Sequence, residues 1–159
     1  MPNRPLITAH RGSSALAPEN TLASLLQAVA EGADFAEVDV QSTADGELVL
    51  FHDDDLQRIC GDPRPMRELT YAEISQLDVG CWLSPQFAGE RVPRLADAIA
   101  LAQQSNLRLN LELKAARPCP NFAHQVVQQV NALGFAQDCI LTSFNRDLLR
   151  QVRQQMPHG

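Results

Sequence analysis

The side chains in this chain that can do acid–base or metal chemistry lie at the ends of predicted β-strands. A His-Arg pair follows the first strand, a Glu-x-Asp pair lies in the second, a histidine ends the third, and a Glu-x-Lys pair ends the fourth. In chain order they are His10, Arg11, Glu37, Asp39, His52, Glu112 and Lys114. Each alone is ordinary, as a surface charge or a structural histidine. Because the carboxyl ends of parallel strands share one rim of an α/β fold, their joint occurrence predicts a common site.

The spacing of the acidic residues predicts a metal site. Side chains two apart in a strand share a face, so Glu37 lies beside Asp39, and Glu112 beside Lys114. Three converging carboxylates would repel one another and lose hydration. A hard divalent cation relieves both effects, and ligands that are all oxygen favour Mg²⁺ or Ca²⁺ over zinc. We therefore predict Glu37, Asp39 and Glu112 as metal ligands.

The elements that position these groups alternate between strands and helices. Strands are predicted over residues 6–9, 35–40, 48–51, 107–113 and 139–142. Helices are predicted over residues 21–31, around 95–102, over 122–133 and from residue 148. Asn20 is the expected N-cap of the first helix, and Gly32 its expected C′ residue. Such repeated units indicate an α/β fold with a mostly parallel sheet covered by helices.

Residues 53–93 interrupt this rhythm. They are rich in glycine and proline, with one short helix predicted by the capping box Thr70-Tyr71-Ala72-Glu73. We interpret them as an excursion from the main scaffold. A (β/α) barrel needs eight strands and typically about 250 residues, whereas this chain supplies about five strands. The pattern alone therefore allows either an open sheet or a barrel cut short.

Composition narrows the class of partner. The net charge of −6 argues against nucleic acid or an anionic membrane surface as the main partner. No apolar run approaches the roughly 18 residues that span a bilayer. The four cysteines, Cys60, Cys81, Cys119 and Cys139, form no CxxC pair and are expected to be reduced thiols. With no room for a signal peptide before the first strand, we predict a cytoplasmic protein; the sequence does not specify its oligomeric state.

An ordered set of motifs resembles the glycerophosphodiester phosphodiesterase family along nearly the whole chain. The matching runs are His10-Arg11-Gly12, Pro18-Glu19-Asn20-Thr21, Gly32-Ala33-Asp34, Glu37-Val38-Asp39-Val40, Thr43-Ala44-Asp45-Gly46, His52-Asp53, Leu77-Asp78-Val79-Gly80-Cys81-Trp82, Val92-Pro93-Arg94-Leu95, Leu109-Asn110-Leu111-Glu112-Leu113-Lys114 and Thr142-Ser143-Phe144-Asn145.

The resemblance implies the N-terminal portion of a TIM-type barrel, with residues 1–159 as a partial barrel domain and 53–93 as a small insertion after the third strand. It implies hydrolysis of glycerophosphodiesters, such as glycerophosphocholine, to sn-glycerol 3-phosphate and an alcohol. It implies a divalent metal on the three carboxylates, His10 and His52 as the acid/base pair, and Arg11 and Lys114 as phosphate contacts. Histidines titrate near neutrality and suit proton transfer, while the cations and the metal neutralise the phosphodiester charge.

Several readings stay open on the sequence alone. Trp82 and Phe144 are candidates for a substrate pocket, or are packing residues. The acidic run Asp53-Asp54-Asp55 extends the metal site, or is solvated or caps a helix. The last three strand–helix units of the family have no counterpart, so we expect a fragment. The alternatives to the hydrolase are a truncated, inactive phosphate-binding module and a phospholipase D-like enzyme acting on lysolipids.

Overall fold

Strands and helices alternate through the computed structural model, which describes residues 4–114 and 121–156. In chain order its elements are β1 (Thr8–His10), α1 (Leu22–Ala30), β2 (Phe35–Ser42), β3 (Leu48–Leu50), β4 (Asp55–Leu56), α2 (Gln57–Cys60), β5 (Asp62–Pro65), α3 (Tyr71–Ile74), α4 (Leu95–Ser105), β6 (Arg108–Leu113), α5 (Phe122–Ala132), β7 (Cys139–Thr142) and α6 (Arg146–Gln155). Single 3₁₀ turns lie at Met66–Glu68 and Pro85–Phe87.

Four parallel strands, in the order β1-β2-β6-β7, run through a main sheet of five strands, in which β3 also pairs with β2. Their register sets His10 opposite Glu37, and Asp39 opposite Glu112. The predicted α/β architecture with a parallel sheet is confirmed. Because neighbouring strands run in one direction, their carboxyl ends meet at one rim, as the sequence pattern required.

The third predicted strand exists as β3, but its direction differs from the expectation. It pairs antiparallel with β2, with Val40 opposite Leu50 and Ser42 opposite Leu48. The chain turns back at Gly46, whose φ of 84° favours glycine. The expectation that His52 reaches the rim as the carboxyl end of a parallel strand is therefore wrong: a hairpin extending from β2 returns it there.

The core packing shows which face of the sheet carries the polar groups. Alternate residues of β2 and β6 enter the large hydrophobic cluster with the buried faces of α1, α4, α5 and α6. These strand residues are Ala36, Val38, Val40, Leu109, Leu111 and Leu113. Side chains alternate along a strand, so Glu37, Asp39 and Glu112 lie on the opposite face. The period-two argument from the sequence thus identifies the correct shared face.

The excursion folds around a smaller hydrophobic cluster of its own. Its buried members are Val49, Phe51, Leu56, Ile59, Met66, Leu69, Ile74, Val79 and Val92. The predicted capping box is confirmed, with Thr70 as the N-cap of α3 and Glu73 as its reciprocal partner. Leu48 and Leu50 belong to the large cluster, whereas Val49 and Phe51 belong to the small one. The β3 segment therefore joins the two cores through alternate side chains.

One of the motifs, residues 77–82, builds a loop in this excursion. The Asp78 carboxylate accepts backbone N–H bonds from Gly80, Cys81 and Gly89 at 2.8, 2.9 and 2.7 Å. These bonds lower the pKa of Asp78 to about 2. The indole N–H of Trp82 donates to a carbonyl of the same loop. The motif is accounted for by its own hydrogen bonding.

The loop between β1 and α1 is anchored by Asn20. The predicted N-cap is wrong: Thr21 caps α1, in a capping box with Ser24, while Gly32 follows the helix as expected. Asn20 has a φ of 56° and is 2% exposed. Its amide donates to Oδ2 of Asp39 at 2.8 Å and accepts from the Asp39 backbone N–H at 3.0 Å. The side-chain amide of Asn20 therefore joins the loop to β2 through both its nitrogen and its oxygen.

Three cysteines, Cys60, Cys81 and Cys139, are free thiols in the part of the chain that the structure describes, as predicted. Cys119 lies outside the described residues. Burial, reinforced by nearby acidic groups, raises the pKa of both Cys60 and Cys139 to about 11. Among the described residues, no helix has the length and apolar character needed to cross a bilayer.

Replacing Asn20 tests the loop anchor. We expect Asn20→Gly to lower the free energy of unfolding by about 1–3 kcal/mol, because the buried Asp39 loses both of its hydrogen bonds to the Asn20 amide. Asn20→Ala should cost roughly 1–2 kcal/mol more, because alanine is strained at a positive φ. Urea unfolding of the three proteins measures both differences. Equal stability of wild type and Asn20→Gly would contradict the anchoring role.

Thiol labelling tests the cysteine environments. Of the three described cysteines, we expect Cys81, which is exposed, to react first with iodoacetamide at pH 8. Cys60 and Cys139 should react about two orders of magnitude more slowly than an ordinary thiol, because little thiolate forms below a pKa of about 11. Peptide mass mapping measures the order, and urea-unfolded protein is the control in which the rates converge. Equal rates in the folded protein would be inconsistent with the structure.

Candidate active site

Three carboxylates converge where β2 and β6 lie side by side. One ligand oxygen from each of Glu37, Asp39 and Glu112 lies within 4.8 Å of those of the other two. Glu37 and Asp39 are buried and Glu112 is half-buried. The strand register produces this convergence. Asp39 is directly opposite Glu112, and Glu37 lies two residues before Asp39 on the same face of β2. The cluster can hold a divalent metal ion.

The electrostatics of the cluster fit a cation. Burial raises the pKa of Glu37, and the charges of Asp39 and Glu112 act in the same direction, against a backbone hydrogen bond from Arg11. Among the described residues, Oε1 of Glu37 is buried and has no hydrogen-bond partner. A buried carboxylate oxygen without a partner is costly, and a bound cation would remove that cost. The all-oxygen donor set suits a hard divalent ion.

Arg11 and Lys114 place positive charge on two sides of the carboxylates. The backbone N–H of Arg11 donates to Glu37 Oε2 at 3.0 Å, and its Nε lies 3.6 Å from Asp39 Oδ2. Lys114 Nζ donates to Glu112 Oε1 at 3.0 Å and lies 3.4 Å from Asp39 Oδ1. Burial would lower the pKa of Lys114, but these acidic partners raise it above its ordinary value. Both cations therefore contact Asp39.

The two predicted histidines differ in their surroundings. His10 is exposed, and its Nε2 lies 3.7 Å from Glu37 Oε2. His52 follows Phe51, whose backbone N–H donates to the Asp39 carbonyl at 3.0 Å. The Nδ1 of His52 lies 2.6 Å from Asp53 Oδ1. This contact favours the tautomer with the proton on Nδ1, which makes Nε2 the basic nitrogen.

Residues that the sequence reasoning underestimated connect these groups. Glu19, in the loop before α1, accepts a 2.9 Å hydrogen bond from Nη1 of Arg11. In the acidic run, Asp54 is exposed and Asp55 accepts a hydrogen bond from the Gln57 backbone N–H at the start of α2, as the solvated or capping alternative predicts. Asp53 instead pairs with His52 and Arg58. Arg58, in α2, was not predicted at all. No local pattern marks it, because one of its partners lies 39 residues away in sequence.

The two candidate pocket residues stand in different settings. Phe144 follows β7 at the strand-end rim and is 93% exposed, so the alternative that it packs in the core is wrong. Trp82 is 39% exposed and is fixed within the loop built by residues 77–82. Their assignment to a substrate pocket stays a prediction.

Comparison with known proteins identifies the family of the chain. Residues 10–159 match the model of the glycerophosphoryl diester phosphodiesterase family. A glycerophosphodiester phosphodiesterase from Caldanaerobacter subterraneus subsp. tengcongensis is 36% identical over 154 residues, which cover 96% of this chain and 63% of that protein. The chain thus spans somewhat less than two thirds of that curated relative.

Solved structures agree with this match. A glycerophosphodiester phosphodiesterase from Agrobacterium tumefaciens superposes with a TM-score of 0.88 at 32% identity, over 97% of this chain and 64% of that one. An Oleispira antarctica phosphodiesterase, solved with the product sn-glycerol-3-phosphate, gives 0.86 at 38% identity, over 97% and 63%. The predicted TIM-type fold is confirmed by these neighbours. The chain belongs to the glycerophosphoryl diester phosphodiesterase family.

Proposed function

We propose that this chain carries the catalytic groups for hydrolysis of glycerophosphodiesters to sn-glycerol 3-phosphate and an alcohol. The observation that carries the proposal is the carboxylate cluster of Glu37, Asp39 and Glu112, with Arg11 and Lys114 beside it. The family match supports it, as does a relative of similar fold that was solved with sn-glycerol-3-phosphate. A phosphodiester is an anion, and such a site combines a cation-binding cluster with fixed positive charge.

In this proposal Glu37, Asp39 and Glu112 hold Mg²⁺ or Ca²⁺, the ions that all-oxygen sites prefer. When bound, such an ion supplies charge neutralisation at the phosphoryl oxygens. Asn20 and Lys114 fix the orientation of Asp39 and Glu112 by the hydrogen bonds described above. These hydrogen bonds hold two of the three proposed ligand carboxylates in a fixed orientation.

Arg11 and Lys114 are the proposed phosphate contacts. The guanidinium of Arg11 can donate to two phosphate oxygens from one plane, whereas the Lys114 ammonium acts as a compact charge. Both side chains are mostly buried, with 20% and 19% exposure, so solvent screens their charge less than at an open surface. They would stabilise negative charge that builds up as the bond to the leaving group breaks.

His10 and His52 are the proposed proton-transfer pair. The attacking hydroxyl must lose a proton, and the leaving alkoxide must gain one. Asp53 holds Nδ1 of His52, which reserves Nε2 for exchange with the substrate. His10 is adjacent to Glu37 and solvent-exposed, so its imidazole can exchange a proton with bulk water after each turnover.

Two further assignments belong to the same proposal. Residues 53–93, which fold on the smaller core, form the insertion of the family barrel. Phe144, exposed at the strand-end rim, and Trp82 line the side of the cleft that receives the glycerol or alcohol group. Such a surface suits a small molecule that has both hydroxyl and apolar groups, because an aromatic ring can contact its apolar part.

Removing a predicted ligand should weaken metal binding. We expect Glu37→Gln and Asp39→Asn each to raise the dissociation constant for Mg²⁺ or Ca²⁺ by at least about tenfold, since each loses a charged oxygen donor. Titration calorimetry measures the affinity. Glu68→Gln, at an exposed glutamate of the excursion, is the matched control. Unchanged affinity in both ligand variants would remove these residues from the site.

Removing either histidine should suppress turnover. We expect His10→Ala and His52→Ala to lower kcat for glycerophosphocholine by about 10²–10⁴-fold, the usual contribution of general acid–base catalysis. Choline release measures the rate, and chelation of the divalent ion should abolish it. His124→Ala, at an exposed histidine of α5, is the control. A wild-type chain that binds metal and glycerol 3-phosphate without turnover would instead support the inactive phosphate-binding module.

A further inference from the structure

Arg58 joins two carboxylates that belong to different parts of the chain. Its Nε and Nη2 donate to Oδ2 and Oδ1 of Asp53 at 2.7 and 3.2 Å. Its Nη1 and Nη2 donate to Oε2 and Oε1 of Glu19 at 3.0 and 2.7 Å. Asp53 follows the β2–β3 hairpin, Glu19 lies in the loop before α1, and Arg58 lies in α2 of the excursion. One guanidinium therefore links the loop before α1 to the start of the excursion.

The geometry of these bonds depends on arginine. Each carboxylate is held by two N–H groups, and together the two pairs use four of the five N–H donors of the guanidinium. A planar fork matches a carboxylate in this way, whereas a lysine ammonium is a single point of charge on a flexible stem. Lysine would keep the charge of Arg58 but could not hold Asp53 and Glu19 by paired bonds.

Each carboxylate that Arg58 holds also contacts a proposed functional group. Asp53 Oδ1 lies 2.6 Å from Nδ1 of His52. Glu19 Oε1 accepts from Nη1 of Arg11 at 2.9 Å. The result is a continuous hydrogen-bonded series, His52–Asp53–Arg58–Glu19–Arg11, with a proposed proton-transfer group at one end and a proposed phosphate contact at the other.

We propose that Arg58 is a positioning residue that sets His52 and Arg11 relative to each other through Asp53 and Glu19. The inference rests on the proposed function, because it concerns the roles assigned there to His52 and Arg11. Proton transfer and phosphate binding act on one substrate, so their mutual distance matters to the rate. Arg58 fixes that distance from outside the carboxylate cluster.

The charges in the series support positioning and disfavour direct substrate binding. Burial raises the pKa of Glu19 and Asp53, but the hydrogen bonds and charges of their partners together outweigh it, so the pKa of each falls below its ordinary value; Arg58 acts on both, with Arg11 on Glu19 and His52 on Asp53. Both carboxylates are therefore ionised and offset the charge of Arg58. A guanidinium with four N–H groups already bound to carboxylates offers little to a phosphate. Its contribution to the reaction comes through its partners.

Because Arg58 is partly exposed, a positioning role can be distinguished from a contribution to stability alone. Its side chain is 44% exposed, and ion pairs at that exposure are screened by water and contribute little to stability. Loss of the forks should therefore disturb the position of His52 and Arg11 more than the folding of the chain. Activity and stability are expected to respond differently to the same substitution.

The test compares Arg58→Lys with Arg64→Lys in the full chain. Arg64 is the matched control, because it also forks a carboxylate, that of Asp62, in the same excursion. We expect Arg58→Lys to lower kcat for glycerophosphocholine by about 10–100-fold, in line with the cost of about 1 Å of misplacement, with a smaller change in KM and an unfolding midpoint like that of Arg64→Lys. Arg64→Lys should turn over like wild type.

A second readout does not need activity. In ¹⁵N-histidine NMR spectra, assigned with His52→Gln, the wild type should show His52 with its proton on Nδ1, and Arg58→Lys should lose that preference. Asp53→Asn should give the same kcat loss and the same spectral change, which keeps the test available if Arg58→Lys fails to fold.

The outcomes separate this proposal from the proposed function. Wild-type kcat and an unchanged His52 tautomer in Arg58→Lys would overturn the positioning role. Loss of kcat and midpoint together, with the tautomer unchanged, would assign Arg58 to stability alone and also overturn it. No turnover by the wild-type chain would remove the proposed function, and the tautomer comparison would then decide whether Arg58 positions His52.

Discussion

The rest of this structure depends on one constraint: three carboxylates are crowded together on one face of two neighbouring parallel strands. The register of β2 and β6 forces Glu37, Asp39 and Glu112 together on one face. Hydrophobic packing on the other face prevents the strands from shifting, since a one-residue slip would bury the charges among leucines and valines. The carboxylates therefore cannot separate to relieve their repulsion. Arg11, Asn20 and Lys114 supply positive charge or hydrogen bonds to them.

The neighbours divide this task. Lys114 and Arg11 contribute charge, and Asn20 fixes the orientation of Asp39. Glu37 retains a buried carboxylate oxygen that has no hydrogen-bond partner in the described part of the chain. A cation binding there would complete a set that the fold has already ordered. Preorganised ligands bind an ion without first losing conformational freedom, which favours affinity.

Properties encoded locally could be predicted from the sequence. Alternation of side chains identified the face shared by Glu37 and Asp39, and the capping box at Thr70 identified the start of a short helix. Properties that depend on distant partners could not. The direction of β3 is set by its hairpin with β2, which strand propensity does not report. Asn20 looked like a helix cap because asparagine often is one, but its partner is Asp39, 19 residues away. Arg58 carries no local pattern, because its forks join segments far apart in the chain.

The alternation of β3 between two hydrophobic cores has a consequence for how the protein would fail. The strands that carry the carboxylates pack on the large core. His52, by contrast, follows a segment whose Val49 and Phe51 belong to the smaller core. Regions with separate cores open with separate free energies. Loosening of the small core alone would withdraw an imidazole while leaving the acidic cluster intact. Under the proposed function, such partial melting would yield a form that keeps the proposed ion site but has lost one proposed proton-transfer group, so ion binding would persist to a higher temperature than turnover.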